Sequence, residues 1–195
     1  MTGDSARAFP EPVSILWRRL DRPGHEACRL EGVPGGWRLS GSALFLHEGS
    51  PCRLDYAVAT DASWNTVSAS VEGWVGSRPI RLAIEAGPTR RWLMDGVPVE
   101  AVEGCADVDL NFSPSTNLLP IRRLSPEVGR EISVRAAWLR FPSFALEPLE
   151  QTYRRTGDRA WRYESAGGRF TADLEVEDSG LVTRYPGLCE RDEDR

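Results

Sequence analysis

The sequence of 195 residues contains no lysine: all 24 of its basic residues are arginine, and 29 acidic residues leave a net charge of −5. Binding to nucleic acid or to an anionic membrane surface would require a basic stripe. An acidic chain with scattered arginines therefore favours neither partner.

Histidine and cysteine are also scarce. The two histidines, His25 and His47, lie far in sequence from the aspartates that could join them around a cation, and no calcium-loop spacing is present. No C-x-x-C pair and no glycine-rich phosphate loop occur, so we expect no metal and no cofactor. The four cysteines are expected to be free thiols packed as small hydrophobes: Cys28, Cys52, Cys105 and Cys189.

No run of eighteen apolar residues exists, and the N-terminal residues contain no apolar stretch typical of a signal peptide. We therefore expect a cytoplasmic protein with no transmembrane segment. The composition is even along the chain, which predicts a single domain over residues 13–190. The polar residues 1–12 and 191–195 are predicted to be mobile tails.

Apolar residues recur with a period of two, as in strands that bury one face. Gly, Pro, Asp and Ser clusters separate these runs about every ten residues, so the fold class is predicted to be all-β, a sandwich, barrel or roll. One helical turn at most is expected, at residues 114–117. The alternating apolar positions are Val67, Ala69 and Val71; Ile80, Leu82 and Ile84; Ile132, Val134, Ala136 and Trp138; and Phe170, Ala172, Leu174 and Val176.

Two carboxylates stand out at Asp107 and Asp109. Two residues apart on a strand, they would face the same side, about 7 Å apart. A hydrolase could use two carboxylates, but these must flank the substrate from opposite sides, which neighbours on one strand do not do readily. We favour an ion pair with Arg122 or Arg123 from a neighbouring strand, or a polar site within a cavity.

Seven tryptophans are many for a domain of this size, and most are expected to fill the core. Trp64 and Trp92 are the candidates for lining a groove, because Asp61, Asn65 and Asp95 are their polar neighbours in sequence. An aromatic face in a groove can lie against a sugar ring or an acyl chain.

Several short motifs occur in a fixed order. They include Asp61-x-x-Trp64, Trp92-x-x-Asp95-Gly96, Asp107-Val108-Asp109-Leu110, Thr116-Asn117-x-Leu119-Pro120 followed by Ile121-Arg122-Arg123, Trp138-x-x-Phe141-Pro142, Gln151-x-Tyr153 and Tyr185-Pro186-Gly187-Leu188. Together they resemble the bacterial proteins catalogued as putative glycolipid-binding, a domain of unknown function. The resemblance spans roughly residues 13–190.

The resemblance implies a spiral β-roll, a long curved antiparallel sheet similar to bacterial lipoprotein carriers. It also implies a hydrophobic small molecule inside the roll, with a glycolipid as the candidate. It implies no catalytic residues, so we expect a non-catalytic binding protein. From the chemistry of the residues, we expect the acyl chain of the ligand to lie against Trp64, Trp92, Ile121 and Trp138. The polar head is expected to be held by Asp107, Asp109, Asn117, Arg122, Arg123, Gln151 and Tyr153.

Three alternatives stay open. Thr116, Asn117 and Pro120 could form a turn that only sets strand register. The domain could have a filled core and serve as a protein-interaction or structural module. Less favoured is a hydrolase that uses Asp107 or Asp109.

Overall fold

The computed structural model describes residues 11–193 and consists mainly of β-strands, as the sequence predicts. The fifteen strands are β1 (Val13–Arg19), β2 (Gly24–Val33), β3 (Gly36–His47), β4 (Ser50–Asp61), β5 (Thr66–Val75), β6 (Arg78–Ala86), β7 (Trp92–Met94), β8 (Val97–Pro98), β9 (Asp107–Leu110), β10 (Glu131–Arg140), β11 (Ala145–Arg155), β12 (Ala160–Ser165), β13 (Phe170–Val176), β14 (Val182–Tyr185) and β15 (Cys189–Arg191). One helix, α1 (Leu118–Leu124), and two 3-10 turns, Glu100–Val102 and Ser115–Asn117, complete the described residues.

All fifteen strands belong to one curved sheet. Its order is β8-β7-β6-β5-β4-β3-β2-β1-β15-β14-β13-β12-β11-β10-β9. Every pair is antiparallel except β9 and β10, which run parallel. The first and last strands are thus neighbours in the middle of the sheet, where Trp17 pairs with Arg191. The predicted fold class, a single curved sheet, is confirmed.

The alternation of apolar residues places the core on one face of most strands. Ile80 and Ile84 of β6 are buried, as are Ala172, Leu174 and Val176 of β13. Apolar burial on one face forces a long sheet to curl over its own core.

Val67 departs from the predicted pattern. Its side chain is 47% exposed, whereas Thr66, predicted on the polar face, is fully buried. The pairing of β4 with β5 shifts register between Ala59 and Thr60, and such an irregularity changes which face the next residues occupy. Thr66 uses its inward position to accept a hydrogen bond from the backbone N–H of Val108, 3.0 Å away.

Strand β9 is enclosed by the roll. On one face Val108 and Leu110 are buried, and on the other Asp107 is buried and Asp109 partly buried. The N–H of Thr66 on β5 donates to the carbonyl of Ala106, 3.0 Å away, so the rolled sheet nearly meets its own edge there. Polar side chains on β9 are consequently held inside the protein.

Helix α1 corrects the expectation of one helical turn at most. Pro120 is its third residue, a position in the first turn where a backbone N–H has no intrahelical partner to lose. The helix ends at Leu124, and the next residue, Ser125, has φ of 31° and donates its N–H to the carbonyl of Ile121. Arg122 and Arg123 therefore project from a helix, and the prediction that they belong to a strand is wrong.

The strands begin at Val13 and end at Arg191, one residue beyond the predicted domain end. Of the predicted tails, residues 1–10 and 194–195 lie outside the described residues. Within residues 11–193 no helix is long and apolar enough to cross a membrane. The four cysteines are free and buried, as predicted.

Candidate ligand-binding cavity

A cavity of about 320 Å³ lies at the face of the sheet that carries Asp109 and Trp138. These two residues are register partners on β9 and β10. The cavity is lined by Asp109, Asn111, Ser113, Asn117, Trp138, Leu149, Tyr163, Ser165, Ala166, Phe170, Tyr185 and Leu188. Its walls come from six neighbouring strands and from the segment that joins β9 to α1, so the curvature of the sheet creates it.

One wall of the cavity is aromatic. The ring centroids of Tyr163, Phe170 and Tyr185 lie 6.0–6.1 Å from one another, in edge-to-face or tilted arrangements. Phe170 is 45% exposed, whereas Tyr163 and Tyr185 are buried, so Phe170 stands at the mouth. Such a wall offers a large, rigid apolar surface to a ligand.

Asp109 is the carboxylate on the cavity lining. The side-chain amide of Gln151 donates to its Oδ2 at 2.5 Å, and the same amide nitrogen lies 3.2 Å from the hydroxyl of Tyr163. Burial raises the pKa of Asp109 to about 6; the hydrogen bond from Gln151 lowers it, and the charge of Asp107 raises it. The carboxylate of Asp109 therefore faces the cavity with a single hydrogen bond from Gln151 to stabilise its charge.

Asp107, two residues earlier, is neutralised. Its oxygens accept two hydrogen bonds from the guanidinium of Arg123, at 3.1 and 2.5 Å. The side chain of Asp107 is 2% exposed, so burial raises its pKa while the bond to Arg123 lowers it. This is the bidentate pair expected for one of the two aspartates, and Asp107 itself does not line the cavity.

Asn117 joins helix α1 to the cavity. Its amide nitrogen donates to the hydroxyl of Tyr153 at 2.9 Å, which leaves its carbonyl oxygen as an acceptor. Tyr153 is fully buried beside Tyr163, with ring centroids 5.0 Å apart. The hydrogen bond to the buried Tyr153 thus holds the side chain of Asn117 in one orientation.

A second buried carboxylate lies behind the cavity. Glu26 on β2 accepts hydrogen bonds from Tyr56 at 2.6 Å and from Ser113, a cavity residue, at 2.5 Å. Its second oxygen, Oε2, is buried without a hydrogen-bond partner among the described residues. Burial raises the pKa of Glu26 to about 7, against the lowering influence of Ser113, Tyr56 and Arg19.

Gly41 on β3 makes this contact possible. A Cβ at Gly41 would lie 2.4 Å from the hydroxyl oxygen of Tyr56. Because glycine has no side chain, the Tyr56 ring can cross β3 and reach Glu26 on the next strand.

The structure divides the predicted site residues into three groups. Asp109, Asn117 and Trp138 line the cavity. The second group comprises Gln151 and Tyr153, which hydrogen-bond to the lining residues Asp109 and Asn117, and the pair Asp107 and Arg123, which bond to each other and do not line the cavity. The other four lie elsewhere: Trp64, Trp92, Ile121 and Arg122.

Trp64 and Trp92 are structural in this fold. Trp92 is fully buried, and its indole N–H donates to the carbonyl of Cys105 at 3.1 Å. Trp64 stacks on Trp37 with ring centroids 4.6 Å apart, and Arg122 lies over its ring. An acyl chain running along Trp64, Trp92 and Ile121 is therefore not supported, because these side chains pack against the protein.

The polar neighbours that drew attention to Trp64 and Trp92 organise turns. Asp61 accepts hydrogen bonds from the backbone N–H groups of Ser63 and Asn65, both at 2.9 Å, and Asp95 accepts one from the N–H of Ala83. The bonds made by Asp61 are typical of an Asx turn, whereas the bond made by Asp95 ties the turn between β7 and β8 to β6.

Sequence reasoning missed much of the cavity. Tyr163, Phe170 and Tyr185 give no special signal, because aromatic residues are common in strands. Glu26 did give one: it alternates in phase with Cys28 and Leu30, which places a carboxylate on an apolar face. A charged residue in phase with buried neighbours is a useful marker of an interior polar site.

The fold and the cavity define an all-β protein with an interior site suited to a small molecule. Residues 14–191 match the model of the family described as "Putative glycolipid-binding", and the chain belongs to this family. The resemblance drawn from the motifs is thereby confirmed.

Two solved structures are similar to this chain. A DUF1089 family protein from Pseudomonas aeruginosa is 29% identical, with a TM-score of 0.72 over 98% of this chain and 97% of that one. A β-barrel-like protein of the domain of unknown function DUF1849 from Brucella abortus is 9% identical, with a TM-score of 0.53 over 92% of this chain and 94% of that one, and shows likeness of fold alone. No curated protein matches the chain.

Proposed function

We propose that this protein binds a glycolipid in the cavity and leaves it chemically unchanged. The observation that carries the proposal is the pairing of an aromatic and aliphatic wall with hydrogen-bonding side chains in one interior space. Small-molecule sites typically combine an apolar lining with a few polar groups that fix orientation. The family description supports the same class of ligand.

Binding is favoured over hydrolysis because of how the carboxylates are engaged. Asp107 is held by Arg123, and Glu26 lies behind Ser113, so Asp109 is the carboxylate among the described residues that lines the cavity. Hydrolysis of a glycosidic bond with two carboxyl groups requires both to flank that bond. Among the described residues the cavity offers one carboxylate to a ligand, which suits binding better than hydrolysis by two.

The test is native mass spectrometry of the gently purified protein, before and after incubation with a bacterial lipid extract. We expect a one-to-one adduct whose added mass matches that of a glycolipid and does not change with time. A clean protein mass in both samples would contradict the proposal and favour a protein-interaction module. Loss of the sugar from the released lipid would instead favour the hydrolase.

A matched pair of variants locates the adduct. Leu149 lines the cavity, and Leu149→Trp places a bulky indole ring in the lining. Leu44 is 51% exposed on β3, so Leu44→Trp makes the same chemical change outside. We expect the adduct to disappear only in Leu149→Trp, and its persistence there would place the ligand elsewhere.

A further inference from the structure

The charge of the cavity lining restricts what the ligand can be. Among residues 11–193, Asp109 is the one charged side chain in the lining, and no arginine of that range lines the cavity. The nearby arginines are engaged: Arg123 holds Asp107, and Arg19 binds Asp21 and the carbonyl of Phe112. Arg169, which precedes Phe170, is exposed and donates from Nε to the carbonyl of Ala166 at 2.9 Å. Arg140 lies 5.6 Å from the Trp138 ring centroid and 3.6 Å from Glu147.

This distribution is unfavourable for an anion. Phosphate and carboxylate groups are recognised through arginine, lysine or clustered N–H donors. Here a phosphate in the cavity would meet the carboxylate of Asp109 in poorly solvated surroundings. A second carboxylate, that of Glu26, is bonded to the lining residue Ser113 and so also lies near the cavity. Like charges at such a site repel strongly, because little water screens them.

The remaining polar groups suit hydroxyl groups, which both donate and accept. Gln151 occupies Oδ2 of Asp109, so Oδ1 is available as an acceptor. The carbonyl oxygen of Asn117 is a second acceptor, because its amide is bonded to Tyr153. Asn111 presents donors, since its Oδ1 already accepts the N–H of Phe141.

Size and aromatic surface point to one sugar ring. The volume of about 320 Å³ lies at the small end of the range of about 300–1,000 Å³ that is typical of small-molecule sites. That space suits one ring and not a ring together with a long acyl chain. The aromatic wall can pack against the C–H face of the ring, and Phe170 at the mouth offers an apolar exit.

We propose that the cavity selects an uncharged, single-ring sugar head group, that it rejects phosphorylated or otherwise anionic head groups, and that the acyl chain leaves past Phe170. This inference rests on the proposed function, since it concerns the same cavity. It adds the chemical class of the head group and its position.

The probes are short-chain amphiphiles that differ only in head group. Octyl β-glucoside, octyl β-galactoside and octyl α-mannoside carry one neutral ring, whereas octyl phosphate carries an anion on the same chain. Each is titrated by isothermal calorimetry at pH 8, below its critical micelle concentration. We expect saturable one-to-one binding of at least one glycoside and at least tenfold weaker binding of octyl phosphate.

Variants tie the selectivity to the cavity. Leu149→Trp should abolish glycoside binding, and Leu44→Trp should retain it. Asp109→Asn removes the repelling charge, so the ratio of the dissociation constants of octyl phosphate and the glycoside should fall about tenfold.

Each outcome has a distinct meaning. Octyl phosphate binding as tightly as the glycosides, with loss in Leu149→Trp, would overturn the neutral head group and leave the proposed function standing. If no glycoside binds while the lipid extract still gives a cavity adduct, the single-ring inference fails alone. If neither binds, the inference and the proposed function fail together.

Discussion

Replacing Glu26 by glutamine should flatten the dependence of stability on pH. Glu26 is 2% exposed, and burial raises its pKa from 4.5 to about 7 even though Ser113 and Tyr56 donate hydrogen bonds to it. In the folded protein the carboxyl group therefore keeps its proton up to about pH 7, whereas in the unfolded chain it releases the proton near pH 4.5. Between these values the folded state binds more protons, so stability falls as pH rises.

The size of the effect follows from the two pKa values. Between pH 5 and pH 8 the wild-type protein should lose about 2.5 kcal/mol through Glu26 alone. Glu26→Gln cannot titrate there, so its loss over the same interval should be smaller by that amount. Other groups with raised pKa values, such as Asp109, contribute equally to both proteins and cancel in the comparison.

Urea unfolding followed by tryptophan fluorescence at pH 5 and pH 8 measures the difference. Glu85→Gln is the matched control, because Glu85 is exposed on β6 and should leave the wild-type pH dependence unchanged. Equal losses of stability in wild type and Glu26→Gln would refute the reasoning, since they would mean that Glu26 titrates alike in both states.

Three further outcomes are expected. Arg123→Gln leaves the carboxylate of Asp107 buried without its cation and should cost about 3–5 kcal/mol in urea unfolding, with partial recovery in a double variant that adds Asp107→Asn; no recovery would contradict the ion pair. Gly41→Ala should cost about 1–3 kcal/mol, because its Cβ displaces Tyr56; Gly87→Ala, where the nearest atom is 3.5 Å away, should cost less, and equal costs would contradict the steric argument. Ellman's reagent should not react with the native protein and should count four thiols in urea, because all four cysteines are buried, and burial raises the thiol pKa of Cys28 to about 12 and that of Cys105 to about 11; rapid native labelling would contradict this burial.

Strand alternation was readable from the sequence because it depends only on neighbouring residues. Ile80 and Ile84 follow it, and so do Leu174 and Val176. Val67 fails because a register shift between two paired strands changes the face, and one strand read alone carries no record of its partner.

The cavity was harder to predict, because its residues meet through pairing across the sheet. Asp109 and Trp138 are partners only because β9 adds to β10 in parallel, and Gln151 reaches Asp109 across β10. Helix α1 was missed because Pro120 suggests a turn when its place in the first helical turn is unknown. The Asp107–Arg123 pair was nevertheless among the predicted possibilities, since buried carboxylates need partners.

The strand order gives the chain an unusual connectivity. The two edges of the sheet, β8 and β9, follow each other in sequence and are joined by residues 99–106, while β1 and β15 pair in the middle. If the ends were linked and the chain opened within residues 99–106, each strand would pair with the next in sequence, antiparallel at every step after the parallel pair β9 and β10. In the natural order, β1 lacks one of its two neighbouring strands until β15 is synthesised. A shortened chain without β15 would therefore lose the strand that joins the two halves of the sheet, and not a strand at its edge.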